Sequence, residues 1–331
     1  MRAALCRSYG GPEVVEVADV PVPPCGAAQV RVEVRVGAVN FPDVLVMADS
    51  YQVSAPTPFI PGSEFAGTVR EVGDGVTGLV PGDRVFGSTM VGAFAEEVVV
   101  PAPSLTRTPA TVDDRTAAGF GVAYRTAYHV LRSVAKVQPG DELVVLGAGG
   151  GVGTAAVQLG AALGASVTAV ASSPEKLEAA RSCGARRLIQ RGRVDLRQAL
   201  RDALPEGTDV VIDPVGGDGA EPALRSLRWG GRFVTVGYAS GVIPRVALNL
   251  VLLKGIAVVG FEFRSFALHR PDELVRNDRE VLALLEDGRA RPVVGAVFEL
   301  SAVGEALALV AAGRAVGKVL VEIAPTGTTS G

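Results

Sequence analysis

The sequence predicts an α/β protein of two domains. One is β-rich; the other is doubly wound, with a parallel sheet of about six strands. Three observations predict this. The 331 residues are about twice a usual domain length. Residues 1–110 are rich in Pro and Gly and carry short strand-like runs. From about residue 123, continuous apolar strands alternate with helical segments across short loops.

The β-rich half is clearest at residues 29–36. There Val30, Val32, Val34 and Val36 alternate with Arg31, Glu33 and Arg35, the period of a half-buried strand. Similar runs at 65–72, 84–86 and 95–100 are separated by Gly-Asp and Pro-Gly turns. In the second half, residues 142–147 (ELVVLG) form a strand of the doubly buried kind. A Gly-rich turn and an Ala-rich helix at 152–163 follow. Strands are expected at 166–171, 187–189, 209–213, 232–236 and 256–260, with helices at 174–182, 196–204 and about 219–228. After about residue 264 the elements are mixed: a helix at 273–287, a strand at 294–299, a helix at 301–312 and a strand at 318–323. Ser301 and Gly313 are the expected caps of the third of these elements. Residues 324–331 read as a frayed tail.

Composition narrows the function. Apolar residues make 48% of the chain and charged residues 20%, which excludes a disordered chain. A net charge of −3 offers no basic stripe for nucleic acid. The longest apolar tract, 246–261, is interrupted by Asn249, Lys254 and Gly255, so no membrane partner is expected. Cys6, Cys25 and Cys183 are odd in number and far apart, which points to a reducing, cytoplasmic compartment. With only two histidines, His129 and His269, neither of which has a partner visible in sequence, no zinc site can be written.

The clearest chemistry lies at residues 147–153 (GAGGGVG), which end a strand and open a helix. Gly150 and Gly153 fill the second and third places of a GxGxxG pattern and Ala148 the first. Glycines let a backbone approach a pyrophosphate, and a helix N-terminus offers it free N–H groups. Gly149, Gly150, Gly151, Val152 and Gly153 are therefore the expected dinucleotide contacts. The next strand ends Ala171-Ser172-Ser173, without the acid that would hold the ribose of NAD. Lys176 falls in the first turn of the following helix, where a cation opposes the dipole unless an anion sits nearby. A 2′-phosphate is such an anion. Ser172, Ser173, Lys176 and Arg191 thus select NADPH over NADH. For Ser173, capping alone is the competing account.

Together these segments resemble the medium-chain dehydrogenase/reductase superfamily, specifically its zinc-free, zeta-crystallin-like quinone oxidoreductase branch. The resemblance covers nearly the whole chain. It rests on Val39-Asn40-Phe41-Pro42-Asp43, Pro61-Gly62-Ser63-Glu64-Phe65-Ala66-Gly67, Pro81-Gly82-Asp83-Arg84-Val85, Thr126-Ala127-Tyr128, residues 147–153, residues 209–217, Gly230-Gly231-Arg232 and Gly317-Lys318-Val319. It implies a GroES-like catalytic domain at 1–122 and 264–331 and a Rossmann NADPH-binding domain at 123–263. Zinc-binding relatives carry Cys and His near positions 40 and 63, where this chain has Asn40 and Ser63.

By the same resemblance, Asn40, Asp43 and Tyr51 line the substrate side. Asn40 can hydrogen-bond a carbonyl, and Tyr51 can donate to an oxygen gaining charge. The alternatives are that Asn40 or Asp43 satisfies backbone groups before Pro42 and that Tyr51 is a loop aromatic. Met47-Ala48-Asp49-Ser50 departs from the usual Arg and Gly before the tyrosine. Further cofactor contacts carried over by position are Tyr124 or Arg125, Gly237, Ser240, Phe261, Phe263 and Lys318. The resemblance implies NADPH-dependent hydride transfer to a quinone, or else to an enone or enoyl acceptor. A homodimer is expected. A third possibility, of another class, is an NADPH-binding sensor or structural protein.

Overall fold

The computed structural model describes residues 1–323; the tail at 324–331 lies outside them. The chain divides into two units, residues 1–122 with the segment from 294 onward, and residues 123–293.

One long strand organises the first unit. After β1 (Arg2–Cys6) and β2 (Val15–Asp19) comes β3 (Gln29–Val39). Its four alternating valines, Val30 to Val36, are fully buried, as a strand with one face on a core requires. A helix, α1 (Phe41–Met47), follows where the sequence suggests only a turn. Pro42 in its first turn and the Asp43 carboxylate, which accepts the Asn40 N–H at 2.7 Å, start it. β4 (Glu64–Val72) lies antiparallel to β3, β5 (Arg84–Ser88) pairs with β4, β6 (Glu97–Pro101) pairs with β3, and β7 (Leu105–Arg107) pairs with β5. The β3–β4 approach depends on Gly67, where a Cβ would stand 2.0 Å from the Glu33 carbonyl oxygen. α2 (Asp114–His129) is not legible in the apolar pattern.

The second unit is the expected doubly wound sheet. Its elements are β8 (Glu142–Leu146), α3 (Gly151–Ala162), β9 (Ser166–Ala171), α4 (Pro174–Ser182), β10 (Arg187–Gln190), α5 (Leu196–Ala203), β11 (Thr208–Asp213), α6 (Ala220–Ser226), β12 (Leu227–Thr235), α7 (Leu248–Lys254) and β13 (Ala257–Gly260). All six strands are parallel, in the order β10-β9-β8-β11-β12-β13. The order reverses between β8 and β11, and ligands of such sheets bind at the strand C-termini beside that point. α8 (Phe263–His269) and α9 (Pro271–Glu286) also belong to this unit. The sequence reading assigns residues 264–293 to the other domain. They group here because α9 engages α2: Arg125 pairs with Asp278 at 2.6 Å and the Tyr128 hydroxyl donates to Glu280 at 2.7 Å.

The chain then returns to the first unit with β14 (Val294–Glu299), α10 (Val303–Ala311) and β15 (Lys318–Glu322). Ser301 is not the helix cap expected of it. It lies in a 3₁₀ turn, Leu300–Ala302, and Ala302 is the N-cap. Gly313 follows the C-cap with φ +63°, the left-handed conformation of a helix stop. β15 runs antiparallel to β3, with Val319 opposite Val39. Among the described residues no helix is long and apolar enough to cross a membrane.

Candidate active site

Strand register assembles a buried polar cluster in the first unit. Asn40 follows the end of β3, Glu64 opens β4 and Lys318 opens β15, and the pairing of those strands brings the three together. The Lys318 Nζ donates to Asn40 Oδ1 at 2.6 Å and to Glu64 Oε2 at 2.9 Å. Asn40 Nδ2 donates to the same Glu64 oxygen at 3.0 Å. Glu64 Oε1 accepts the Val122 N–H at 2.6 Å. Lys318 is 3% exposed and Glu64 1%, so this ion pair is desolvated and each charge depends on the other. The resemblance puts Lys318 on the cofactor; the structure joins it to Asn40 and Glu64.

Asp43 completes the cluster. Burial pushes its carboxyl up to about 6, against the opposing hydrogen bonds of Ser63 and the Asn40 N–H and the charge of Lys318. The structure therefore gives Asp43 the helix-starting role and places it beside the other groups at the same time. Tyr51 is half-buried and packs against the first unit's core. Sequence reasoning missed Glu64 as a functional neighbour. Its signal was an acidic residue amid the apolar motif 61–67, where a charge must be paired.

In the second unit, the Gly-rich loop has the form a dinucleotide requires. Gly147 adopts φ +60° to leave β8, and Gly150 caps α3. The α3 ladder opens with the Thr154 N–H donating to the Gly150 oxygen, so the N–H groups of Gly151, Val152 and Gly153 lie ahead of it. The glycines differ in why they are needed. A Cβ on Gly153 would stand 2.0 Å from the Gly147 oxygen, and one on Gly149 would stand 2.3 Å from the Lys176 Cβ. A Cβ on Gly150 would meet nothing nearer than 3.6 Å. The chain itself thus forbids a side chain at 149 and 153. At 150 it leaves open room over bare backbone, the feature a closely approaching ligand uses.

Lys176 lies against this loop through its contact with Gly149. Ser173 caps α4 by accepting the Lys176 N–H at 3.4 Å. Burial lowers the Lys176 ammonium from its ordinary range. Arg191 follows β10, its N–H bonded to the Ala171 oxygen at 2.8 Å, and its side chain pairs with Asp218 at 3.2 Å. Exposed Ser172 lies on the chain between Ala171 and the α4 cap. The structure therefore brings Ser172, Ser173, Lys176 and Arg191 to one end of the sheet. Gly237 and Ser240 lie in the loop after β12, which bonds to the loop after β11 through Ser240 N–H to Val215 O at 3.0 Å.

Other expected contacts go elsewhere. Tyr124 is fully buried, its hydroxyl against Gln158 Oε1 at 2.7 Å and the Arg291 oxygen at 2.6 Å, and is not brought to the loop. Arg125 is committed to Asp278 and lies 5.0 Å over the Phe263 ring. Phe261 and Phe263 surround His129, with ring centroids 6.4 and 5.5 Å away. His129 does have partners: Asn277 Nδ2 at 3.0 Å from Nδ1 and Asp278 Oδ1 at 3.2 Å from Nε2. His269 contacts the Ser265 oxygen at 3.2 Å.

Comparison with known proteins bears on the family and the fold. Residues 26–110 match the family model of the alcohol dehydrogenase GroES-like domain, and residues 151–277 match that of the zinc-binding dehydrogenases. The chain is 37% identical to quinone oxidoreductase-like protein 2 of Bos taurus, over 97% of this chain and 92% of that protein. This chain belongs to the quinone oxidoreductase family. Within it, the quinone oxidoreductase from Thermus thermophilus, whose structures include a complex with NADPH, is 32% identical, with a TM-score of 0.84 over 98% of this chain and 100% of that one. A segment of the polyketide synthase GfsB of Streptomyces halstedii is 36% identical over 91% of this chain and 5% of that protein.

As a member of the medium-chain dehydrogenase/reductase superfamily, the protein combines a GroES-like domain with a Rossmann-type domain. Its donor set does not fit the zinc named in the second family description. An amide (Asn40) and a hydroxyl (Ser63) replace thiolate and imidazole, Glu64 is engaged by Lys318, and the Lys318 ammonium would repel a metal ion. Among the described residues no group of three or more His, Cys, Asp or Glu could hold one.

Proposed function

We propose that this protein is an NADPH-dependent oxidoreductase that passes hydride to a quinone without a metal. The observation that carries this reading is the Asn40–Lys318–Glu64 cluster, a charge-balanced set of hydrogen-bonding groups built around Asn40, which stands with Ser63 where the zinc-binding relatives carry Cys and His. The cradle fits the cofactor. The N–H groups of Gly151, Val152 and Gly153 would face its pyrophosphate over the open backbone at Gly150, and Lys176 with Ser172, Ser173 and Arg191 would hold its 2′-phosphate. Bound NADPH supplies a hydride from its nicotinamide ring.

The chain's own residues orient and stabilise. Asn40 donates from Nδ2 to the acceptor oxygen as it gains negative charge, with Tyr51 as a second donor. Such a site suits conjugated acceptors, because they spread the incoming charge without a Lewis acid. The final proton comes from water. Asp43, with its carboxyl raised to about 6, keeps the cluster from carrying an uncompensated negative charge at mildly acid pH.

A second reading is reduction of the double bond of an enone or enoyl thioester on the same scaffold. The match to a polyketide synthase segment favours it. NADPH oxidation by the purified protein against one panel of quinones, enones and enoyl thioesters decides. Turnover with quinones supports the first reading, turnover confined to enones or thioesters moves it to the second, and NADPH binding without turnover overturns both.

The protein acts as a homodimer in this proposal. β13 is a mostly exposed edge strand, and Leu248, Leu252, Leu253 and Trp229 are each at least 75% exposed nearby in sequence or sheet order. Sedimentation should give a dimer that Leu252→Glu dissociates; a monomeric wild type would refute this. The three free thiols suit a cytoplasmic location.

A further inference from the structure

An asparagine amide is nearly symmetrical, and which of its ends faces a ligand must be set by its neighbours. At Asn40 the side-chain neighbours are a buried cation and a buried anion, and the Asp43 N–H of the capping box adds a donor on the same side as the cation. Lys318, with no lone pair to offer, can only donate, and it donates to Oδ1 at 2.6 Å. Glu64, as a carboxylate, can accept only from Nδ2, at 3.0 Å. Reversing the amide would set Nδ2 against the ammonium and Oδ1 against the carboxylate, both repulsive in a site excluded from water.

The two Nδ2 hydrogens are unequally engaged. One serves Glu64. The other has only long contacts, 3.3 Å to the Ala38 oxygen and 3.5 Å to the Ser63 hydroxyl. The Lys318 Nζ is more fully used, with Asn40, Glu64 and a long 3.5 Å contact to the Val39 oxygen around it. A cation on Oδ1 draws electron density from the amide and makes the remaining N–H a stronger donor.

We infer that Lys318 and Glu64 are positioning residues that fix and polarise the Asn40 amide, so that its weakly engaged Nδ2 hydrogen is presented to the oxygen of the acceptor. The inference rests on the reading of Asn40 as that donor. It departs from the expectation that Lys318 binds cofactor. It also explains why a lysine and a glutamate, each costly to bury, are buried together next to an asparagine.

The test combines kinetics with an observation of the amide itself. The chain has three asparagines, Asn40, Asn249 and Asn277, so their side-chain amides can be followed by NMR on protein carrying ¹⁵N-asparagine. In the wild type the two Asn40 protons should be well separated, and a naphthoquinone added with NADP⁺, a pair that cannot react, should move the less engaged one. Lys318→Met should collapse the separation and lower kcat roughly 100-fold, the scale of a misplaced or lost oxyanion donor, while NADPH affinity holds. Lys318→Arg should restore part of both. Lys318→Met leaves Glu64 unpaired, so Lys318→Met/Glu64→Gln provides a neutral, folded comparison, which should be as slow. In an Asn40→Ala background, Lys318→Met should add little further loss.

Asn40 protons unmoved by Lys318→Met, additive losses in the cycle, or weaker NADPH binding with kcat intact would each overturn the inference. A wild type that reduces no acceptor, yet whose Asn40 protons respond to Lys318→Met, supports the orientation and sinks the functional reading alone.

Discussion

The glycine loop and the asparagine cluster are built in opposite ways. Residues 147–153 are contiguous, and the loop's shape follows from backbone and local sterics: a left-handed Gly147, a cap at Gly150 and a carbonyl pressed against Gly153. The cluster draws on residues 24, 254 and 278 positions apart, and only the register of three strands joins them. The loop presents bare N–H groups and is closed to side chains at Gly149 and Gly153. The cluster presents charges whose cost of burial is offset only by one another. Steric change should therefore break the first, and charge change the second.

Gly153→Ala is the strongest test of the loop. Its Cβ would overlap the Gly147 carbonyl, so it should cost roughly 4 kcal/mol of stability and abolish NADPH binding, read by thermal denaturation and cofactor fluorescence. A folded, binding variant would remove the steric account.

Asp43 tests the cluster. Its folded carboxyl keeps a proton up to about pH 6, whereas the ordinary value is 3.8. The folded state therefore binds more protons between those limits. Stability from this group is present below about pH 4 and lost as pH rises past about 6, by roughly 3 kcal/mol. Asp43→Asn cannot ionise and should lack that loss, so denaturation of the two proteins from pH 4 to 7.5 should diverge; parallel curves would place Asp43 in a wetter setting.

Lys176→Ala should weaken NADPH binding by roughly 2 kcal/mol and leave NADH binding nearly unchanged, because only a 2′-phosphate meets the ammonium. Equal losses for both would remove that role. The smallest stability effect belongs to Gly150→Ala. With nothing within 3.6 Å of the new Cβ, stability should change by less than about 0.5 kcal/mol while NADPH binding falls. Intact binding would show that the ligand does not approach the backbone there.

Much of the fold and of the loop is legible in short stretches of sequence. The valines of β3 and the apolar run of β8 announce their faces by period alone. The glycine spacing and the Ser173-Pro174 cap mark a helix start whose chemistry is local. What is not legible depends on partners distant in the chain. Tyr124 and Arg125 have the right chemistry for a cofactor, but one hydroxyl is buried against Gln158 and the other side chain is paired with Asp278. The α9 segment is assigned by sequence to the wrong neighbours for the same reason: its amphipathic pattern shows that it buries a face, not whose face it meets.

Periodicity, glycine spacing and residue inventory are properties of short stretches, so the two-part α/β architecture, the glycine loop and the lack of a thiolate–imidazole pair at positions 40 and 63 can be read from the chain alone. That Lys318 stands against Asn40 and Glu64 cannot. That meeting depends on which strands pair and in what register, and strand register comes from the packing of whole sheets.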